Sequence, residues 1–154
     1  VSYFNVRSKN LIHLTFSRFF IHQHKTGRSH FDFRIVQKGM LRSWSLLREP
    51  PLQPGERRLA IEREGFPVET LARGNLEEEA FGSGRVIVWD EGGVEVKAAS
   101  SRTLVLVLMG QKVSGTYEFR KMLWYPGNRW LLTKLRISES DSPDSLPVSD
   151  SNLP

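Results

Sequence analysis

This chain of 154 residues contains no cysteine. Disulfides, thiolate-ligated zinc and thiol nucleophiles are thereby excluded, and a reducing cytoplasm is the expected compartment. No apolar run approaches the roughly 18 residues of a membrane helix, and no membrane association is expected. Leu11-Ile12-His13-Leu14-Thr15-Phe16 is broken by polar residues and followed by no small-residue cleavage site, so no secretory signal is expected there. Histidine is absent after His30. That absence rules out the iron-oxygenase arrangement in which a His-x-Asp pair is completed by a histidine far downstream. A sustained helical period is missing as well, and with it any long amphipathic helix. Positive charge is absent from Ile137 onward, where Glu139, Asp141, Asp144 and Asp150 stand among serines and prolines. A segment with so little to bury is expected to be disordered.

What is present is the composition of an ordinary globular domain, 39% hydrophobic and 25% charged, of a size that suits one core. The net charge of +5 understates the basicity of the part that folds. With the four tail acids set aside, 22 Lys and Arg face 13 Asp and Glu, a balance of +9 over residues 1–136. Such a balance favours polyanionic partners, nucleic acid first, although a basic chain can be basic for solubility alone.

Local signals read as short strands. Phe20–His24 and His30–Val36 flank the polar, glycine-containing Lys25-Thr26-Gly27-Arg28-Ser29 and form a hairpin. Met40–Leu47 follows the turn at Gln37-Lys38-Gly39, and Leu59–Ile61 follows a proline-rich loop from Glu49 to Gly55 that must run outside the sheet. Thr70–Ala80 reads mostly as loop. Arg85–Asp90 is a strong strand closed by Gly92-Gly93, and Val94–Ala98, Thr103–Met109, Ser114–Lys121 and Trp130–Leu135 are further strands. Short strands at this spacing point to an all-β, mainly antiparallel barrel or sandwich. The expected organisation is an N-terminal extension over 1–17, a domain over 18–136 and a disordered acidic tail over 137–154.

Three of the four histidines fall in the hairpin. Side chains alternate along a strand, so His30, Asp32 and Arg34 share one face while Phe31, Phe33 and Ile35 share the other. The same period puts Phe20, His22 and His24 together, and the hairpin brings His24 toward His30 and Asp32. Two imidazoles and a carboxylate suit Mn²⁺, Zn²⁺ or Fe²⁺ with positions left for water and substrate. Arg34, one step along, can hold an anion such as phosphate in a bidentate grip. A solvated histidine beside a turn is ordinary; three with an Asp and an Arg on two adjacent strand faces are not. A cupin-like site would need a Glu soon after His22-x-His24, where Lys25, Thr26, Gly27 and Arg28 stand instead.

These residues also carry a family resemblance. Gln23-His24-x5-His30-Phe31-Asp32-Phe33-Arg34 resembles, in register, the signature of the 3′-phosphoesterase domain associated with bacterial DNA ligase D and its free-standing relatives. Gly39-Met40-Leu41-Arg42-Ser43-Trp44, Arg58-Leu59-Ala60-Ile61, Phe81-Gly82-Ser83-Gly84, Val88-Trp89-Asp90-Glu91-Gly92 and Trp130–Lys134 resemble later motifs of that family in the same order. The resemblance implies a small β-barrel, with short helices or loops, that binds Mn²⁺, or Zn²⁺ or Co²⁺ in its place. It implies removal of a 3′-terminal ribonucleoside and then the 3′-phosphate from DNA ends or primer-templates in repair, alongside a ligase or polymerase of end joining. Carried over by position, His24, His30 and Asp32 hold the metal, and Arg34 clamps the phosphate. Lys25 and Arg28 add DNA contacts, and His22 stands in the place of a signature Gln and is a catalytic candidate. A monomer in the cytoplasm, near the nucleoid, is expected. The family's catalytic His and Tyr are replaced here within Gly65-Phe66-Pro67-Val68-Glu69-Thr70. Neither Phe66 nor Thr70 supplies an imidazole or a phenol. The alternative is therefore a catalytically degenerate domain that binds DNA ends or a repair partner.

Overall fold

The computed structural model describes residues 16–25, 28–69, 85–124 and 127–136. They form eight strands: β1 (Phe16–Lys25), β2 (His30–Gln37), β3 (Met40–Leu46), β4 (Arg57–Pro67), β5 (Arg85–Ala99), β6 (Thr103–Met109), β7 (Ser114–Lys121) and β8 (Arg129–Lys134). The strands close into an antiparallel barrel in the order β1-β2-β3-β4-β8-β7-β6-β5, with β5 returning to β1. The all-β barrel read from the sequence is the fold observed, and the described residues contain no α-helical element. Residues 1–15, the 137–154 tail, Thr70–Ala80 and the Phe81–Gly84 motif lie outside the described residues.

Alternation fills the barrel. Phe19 and Ile21 of β1, Phe31, Phe33 and Ile35 of β2, and Trp44 and Leu46 of β3 point inward with Leu104, Leu106, Tyr117, Phe119, Trp130 and Leu132. At the centre the Trp44 and Phe119 rings stack at 4.2 Å, with Trp130 edge-on to Trp44 at 6.0 Å. Such contacts add about 0.5–1.5 kcal/mol per pair beyond burial itself. At one rim the Arg42 guanidinium covers Trp44 and Trp130 at 4.7 and 5.3 Å and pairs with Glu62 at 2.7 Å. The apolar stem and planar head of arginine let it close an aromatic core while its charge stays paired.

The turns follow from their residues. Lys38 and Gly39 both have positive φ, the geometry of the two-residue turn that matches strand twist, and Gln37 pairs Met40 across it. The loop rich in proline runs outside the strands as expected but is not merely superficial. Pro50 and Pro51 are buried, the Tyr117 hydroxyl donates to the Pro51 carbonyl at 2.7 Å, and Lys134 Nζ donates to Leu52 O at 3.0 Å. Burial pushes the Tyr117 hydroxyl well above its ordinary pKa, aided by the negative charges of Asp90 and Glu56.

Two local expectations are corrected. Gly92-Gly93 does not close a strand; β5 runs unbroken from Arg85 to Ala99. A β-carbon at Gly92 would collide with the Met109 carbonyl oxygen, so glycine here serves a close approach of backbones. The strand at Leu59–Ile61 is also longer, Arg57–Pro67, because its charged residues line the rims and outer face of the barrel. The Trp89-Asp90 motif has a structural role. Asp90 is buried and accepts from the backbone N–H groups of Gln111, Lys112 and Val113 at 2.8–3.0 Å, which fixes the β6–β7 turn, and from Glu91 N at 2.9 Å. Replacing Asp90 by Ala leaves those donors without their acceptor, and unmet donors cost about 1–3 kcal/mol each when buried. The expected loss for Asp90→Ala is therefore about 3 kcal/mol in urea unfolding, with the m-value unchanged; a loss below about 0.5 kcal/mol would count against this role.

Candidate metal centre

The site stands on the outer face of the β1–β2 hairpin, back to back with the core. Pairing is continuous between the two strands, with Phe20 opposite Arg34, His22 opposite Asp32 and His24 opposite His30. Because Phe31, Phe33 and Ile35 are committed to the interior, Asp32 and Arg34 must face outward. They are nonetheless buried: Arg34 is 0% exposed, His24 1%, Asp32 2% and His22 7%, whereas the His30 side chain is 25% exposed. β1 also pairs β5, where Ile21 faces Asp90 and His22 faces Val88, so that Trp89 of β5 is an extra residue beside the start of the site.

The ligand atoms of His24, His30 and Asp32 lie within 4.8 Å of one another. The two rings approach to 4.8 Å between centroids, tilted by 59°. Imidazole nitrogen with carboxylate oxygen suits a divalent transition ion. With bonds of about 2.0–2.2 Å, one ion can bridge this spread after small side-chain adjustment. Asp32 is heavily engaged: Oδ1 accepts from Ser45 Oγ at 2.8 Å, while Oδ2 lies 3.2 Å from His30 Nε2 and 3.5 Å from Arg34 Nη2. A carboxylate held from several sides is oriented before any ligand arrives, as supporting shells of metal sites require.

Behind this cluster, Arg34 Nη1 lies 2.8 Å from His22 Nδ1. Arginine is only a donor, so the Nδ1 lone pair accepts and any ring proton sits on Nε2. Burial first, then the Arg34 charge, lowers the His22 pKa from 6.5 to about 4, opposed by Asp32. Burial likewise lowers Arg34 to about 10, against the pull of Asp32. His22 is thus a neutral acceptor at physiological pH with its basic nitrogen already occupied, and Phe20 stacks against its ring at 6.3 Å between centroids.

Of the remaining residues picked from the sequence, Arg28 is exposed and lines a small cleft beside His30. Lys25 is exposed at the last position of β1, where alternation puts it on the side opposite to His24. Phe66 pairs with Leu41, and Arg63 with Ser43, across a bulge that leaves both on the outer face of β4. Thr70 lies outside the described residues. Sequence reasoning missed Ser45 and Arg63. Arg63 Nε donates to Ser45 Oγ at 3.2 Å, so a hydrogen-bonded chain runs from Arg63 through Ser45 to Asp32. The only signal was the period of β3, which puts Ser43 and Ser45 on the same face as Arg34 and Asp32.

The depressed His22 pKa makes stability depend on pH with a definite sign. The unfolded chain binds this proton below about 6.5 and the folded chain only below about 4, so the contribution is complete above 6.5 and is lost as pH falls through 4. A shift of this size corresponds to something on the order of 3 kcal/mol. His22→Gln keeps an acceptor for Arg34 but removes the titration. Metal-free wild type should therefore lose stability between pH 6.5 and 4 more steeply than His22→Gln in urea melts; parallel curves would remove the proposed neutral acceptor.

A family model described as the DNA Ligase D 3′-phosphoesterase domain matches residues 22–121. The multifunctional non-homologous end joining protein LigD of Pseudomonas aeruginosa is 31% identical over 138 residues, which cover 85% of this chain and 16% of that protein. The proteins of the same name from Mycolicibacterium smegmatis and Mycobacterium bovis are 27% and 30% identical, over 82% and 77% of this chain and 18% and 16% of their own lengths. The chain thus spans less than a fifth of the curated relatives it matches. A closed antiparallel barrel with a His24, His30 and Asp32 cluster on its outer face, and a family match that includes those three residues and runs through β7, place this chain in the DNA ligase D 3′-phosphoesterase domain family.

Proposed function

We propose that this chain is a metal-dependent 3′-end-processing phosphoesterase that removes 3′-phosphates or 3′-terminal ribonucleotides from DNA ends during repair by end joining. The observation that carries this reading is the convergence of His24, His30 and Asp32 within 4.8 Å, beside the buried cation Arg34. These three residues would hold the ion, with Mn²⁺ first and Zn²⁺ or Co²⁺ as substitutes. A bound divalent ion supplies Lewis acidity toward phosphoryl oxygens and water.

The chain's own residues supply the rest. His30, the most accessible of the three, marks the side from which a phosphate arrives. Ser45 and Arg34 hold Asp32 from two sides, which keeps its carboxylate from rotating away. Two roles are open to Arg34. A direct clamp on phosphate requires the anion to reach a guanidinium with no exposed surface. A fixed positive charge behind the site, oriented by His22, requires nothing to move and stabilises charge that develops on the phosphoryl group. His22 is a positioning residue in this scheme.

The product, a DNA 3′-OH, is what a ligase or polymerase of end joining consumes, and such enzymes are the proposed partners of a monomeric chain acting at the nucleoid. The relatives' shared name connects them with end joining, and the basic balance of the chain fits a DNA substrate. No helix among the described residues is long and apolar enough to cross a membrane. Phe66 favours a second reading. It stands on the outer face of β4 and offers no proton or lone pair, which fits a domain that binds DNA ends without turnover.

The decisive measurement is incubation of the chain with a primer-template ending in 3′-phosphate or a 3′-ribonucleotide, with and without Mn²⁺. Mn²⁺-dependent product that falls by at least about 10²-fold in His30→Ala is expected from loss of a ligand. Salt-sensitive DNA binding without product at high protein concentration would leave only the binding reading. Metal analysis gives an independent check: Asp32→Ala should retain about a tenth or less of the wild-type metal after dialysis, and equal content would remove the proposed ligand set.

A further inference from the structure

Next to the cluster, on the side of His30, lies a cleft of about 120 Å³ lined by Arg28, His30, Ser45, Leu47, Ile61 and Arg63. Its walls divide by chemistry. Leu47 is 59% exposed, and with Ile61 it gives an apolar floor. Arg28 and Arg63 bring two exposed guanidinium groups to its edge. Among the described residues Arg28 has no ion pair or hydrogen bond, and Arg63 is tethered only through Nε to Ser45 Oγ, at 3.2 Å. That tether leaves the two Nη groups of Arg63 free to donate, in a fork whose orientation is already set.

We infer that this cleft is a second anion subsite, which takes the phosphodiester and sugar of the nucleotide next to the one being processed, with Arg63 as its specificity-determining residue. The inference deepens the phosphoesterase reading and rests on it for what occupies the metal centre. The cleft and the cluster share His30, so an anion in one lies beside a phosphate in the other. A nucleic acid strand is the ligand that presents phosphates and sugars in regular alternation, matching cations set beside an apolar floor. Inorganic phosphate or a small phosphomonoester could fill the metal centre but would leave the cleft empty. The cleft thus selects a strand over a free phosphate. Ser45 joins the two subsites, since the hydroxyl that receives the Arg63 Nε–H donates to Asp32.

The test is equilibrium binding of a labelled single-stranded oligonucleotide bearing a 3′-phosphate, in EDTA so that no turnover occurs, across a range of salt concentrations. Each phosphate contact on a single strand contributes about 0.7 to the slope of log K against log salt. Arg63→Ala should weaken binding about threefold to fivefold at low salt and lower the slope by about 0.7. Arg28→Ala with Arg63→Ala should lower it by about twice that amount. Arg102→Ala, an exposed arginine in the β5–β6 connection, serves as a control for charge alone and should change the slope little. An unchanged slope in the Arg63 variants, an equal fall in Arg102→Ala, or no binding by wild type would each overturn the subsite. Arg63-dependent binding by a chain that releases no 3′-phosphate with Mn²⁺ would instead sink the phosphoesterase reading and leave the subsite standing.

Discussion

A one-residue slip of β2 against β1 would turn His30, Asp32 and Arg34 into the barrel, away from His24 on β1, and bring Phe31, Phe33 and Ile35 to the surface. The aromatic interior forbids that slip. Phe33 packs on Phe19, Trp44 and Phe119, and a buried, unpaired guanidinium in its place would cost several kcal/mol. Core packing and site assembly are therefore one constraint seen from two sides of a sheet. The apolar face of β2 fixes the register, and the register delivers the two imidazoles and the carboxylate to one another.

Electrostatics then determines what each polar residue can do. Arg34, His22 and Asp32 form a buried network in which every member loses hydration. The network settles this by leaving His22 neutral and Arg34 charged against Asp32. Breaking such a set by removing one member is costly, whereas replacing it whole by apolar groups often is not. That the set is polar at all on a face otherwise able to carry aliphatic residues, as Leu41 does nearby, points to a use other than stability. Asp32 is its shared element. One oxygen belongs to Ser45 and the other to His30 and Arg34, so changes on either side reach the same carboxylate.

Much of this was legible in the residues. Alternation in His30–Ile35 gave the two faces, the polar Lys25–Ser29 gave the hairpin, and turn residues between β-branched and aromatic runs gave short antiparallel strands of a barrel or sandwich, which the family resemblance narrowed to a barrel. The failures have physical causes. Gly92-Gly93 looks like punctuation, because glycine ends strands and also permits close backbone approach, and only the position of Met109 O tells the two apart. The charged Glu62-Arg63-Glu64 looks like the end of a strand, yet its residues divide between a rim ion pair with Arg42 and the cleft beside His30. Ser45 and Arg63 lie eighteen residues apart on strands whose register is shifted by a bulge, and no local period could bring them together. The neutrality of His22 was equally hidden, since it depends on burial and on a partner twelve residues away.

Barrel closure has a consequence for the order in which this molecule assembles. His24 and His30 are near neighbours along the chain, whereas His22 and its β5 partner Val88 are separated by more than sixty residues. The entropy of closing a loop rises with the logarithm of its length, so the second pairing costs about 2 kcal/mol more than the first. The hairpin bearing His24, His30 and Asp32 can thus zip early from local contacts, while the β1–β5 seam that seals the barrel waits for the rest of the sheet. The chain would acquire its ligand-bearing edge before it acquires a closed interior, and an ion captured by the young hairpin would favour the register that the finished core later enforces.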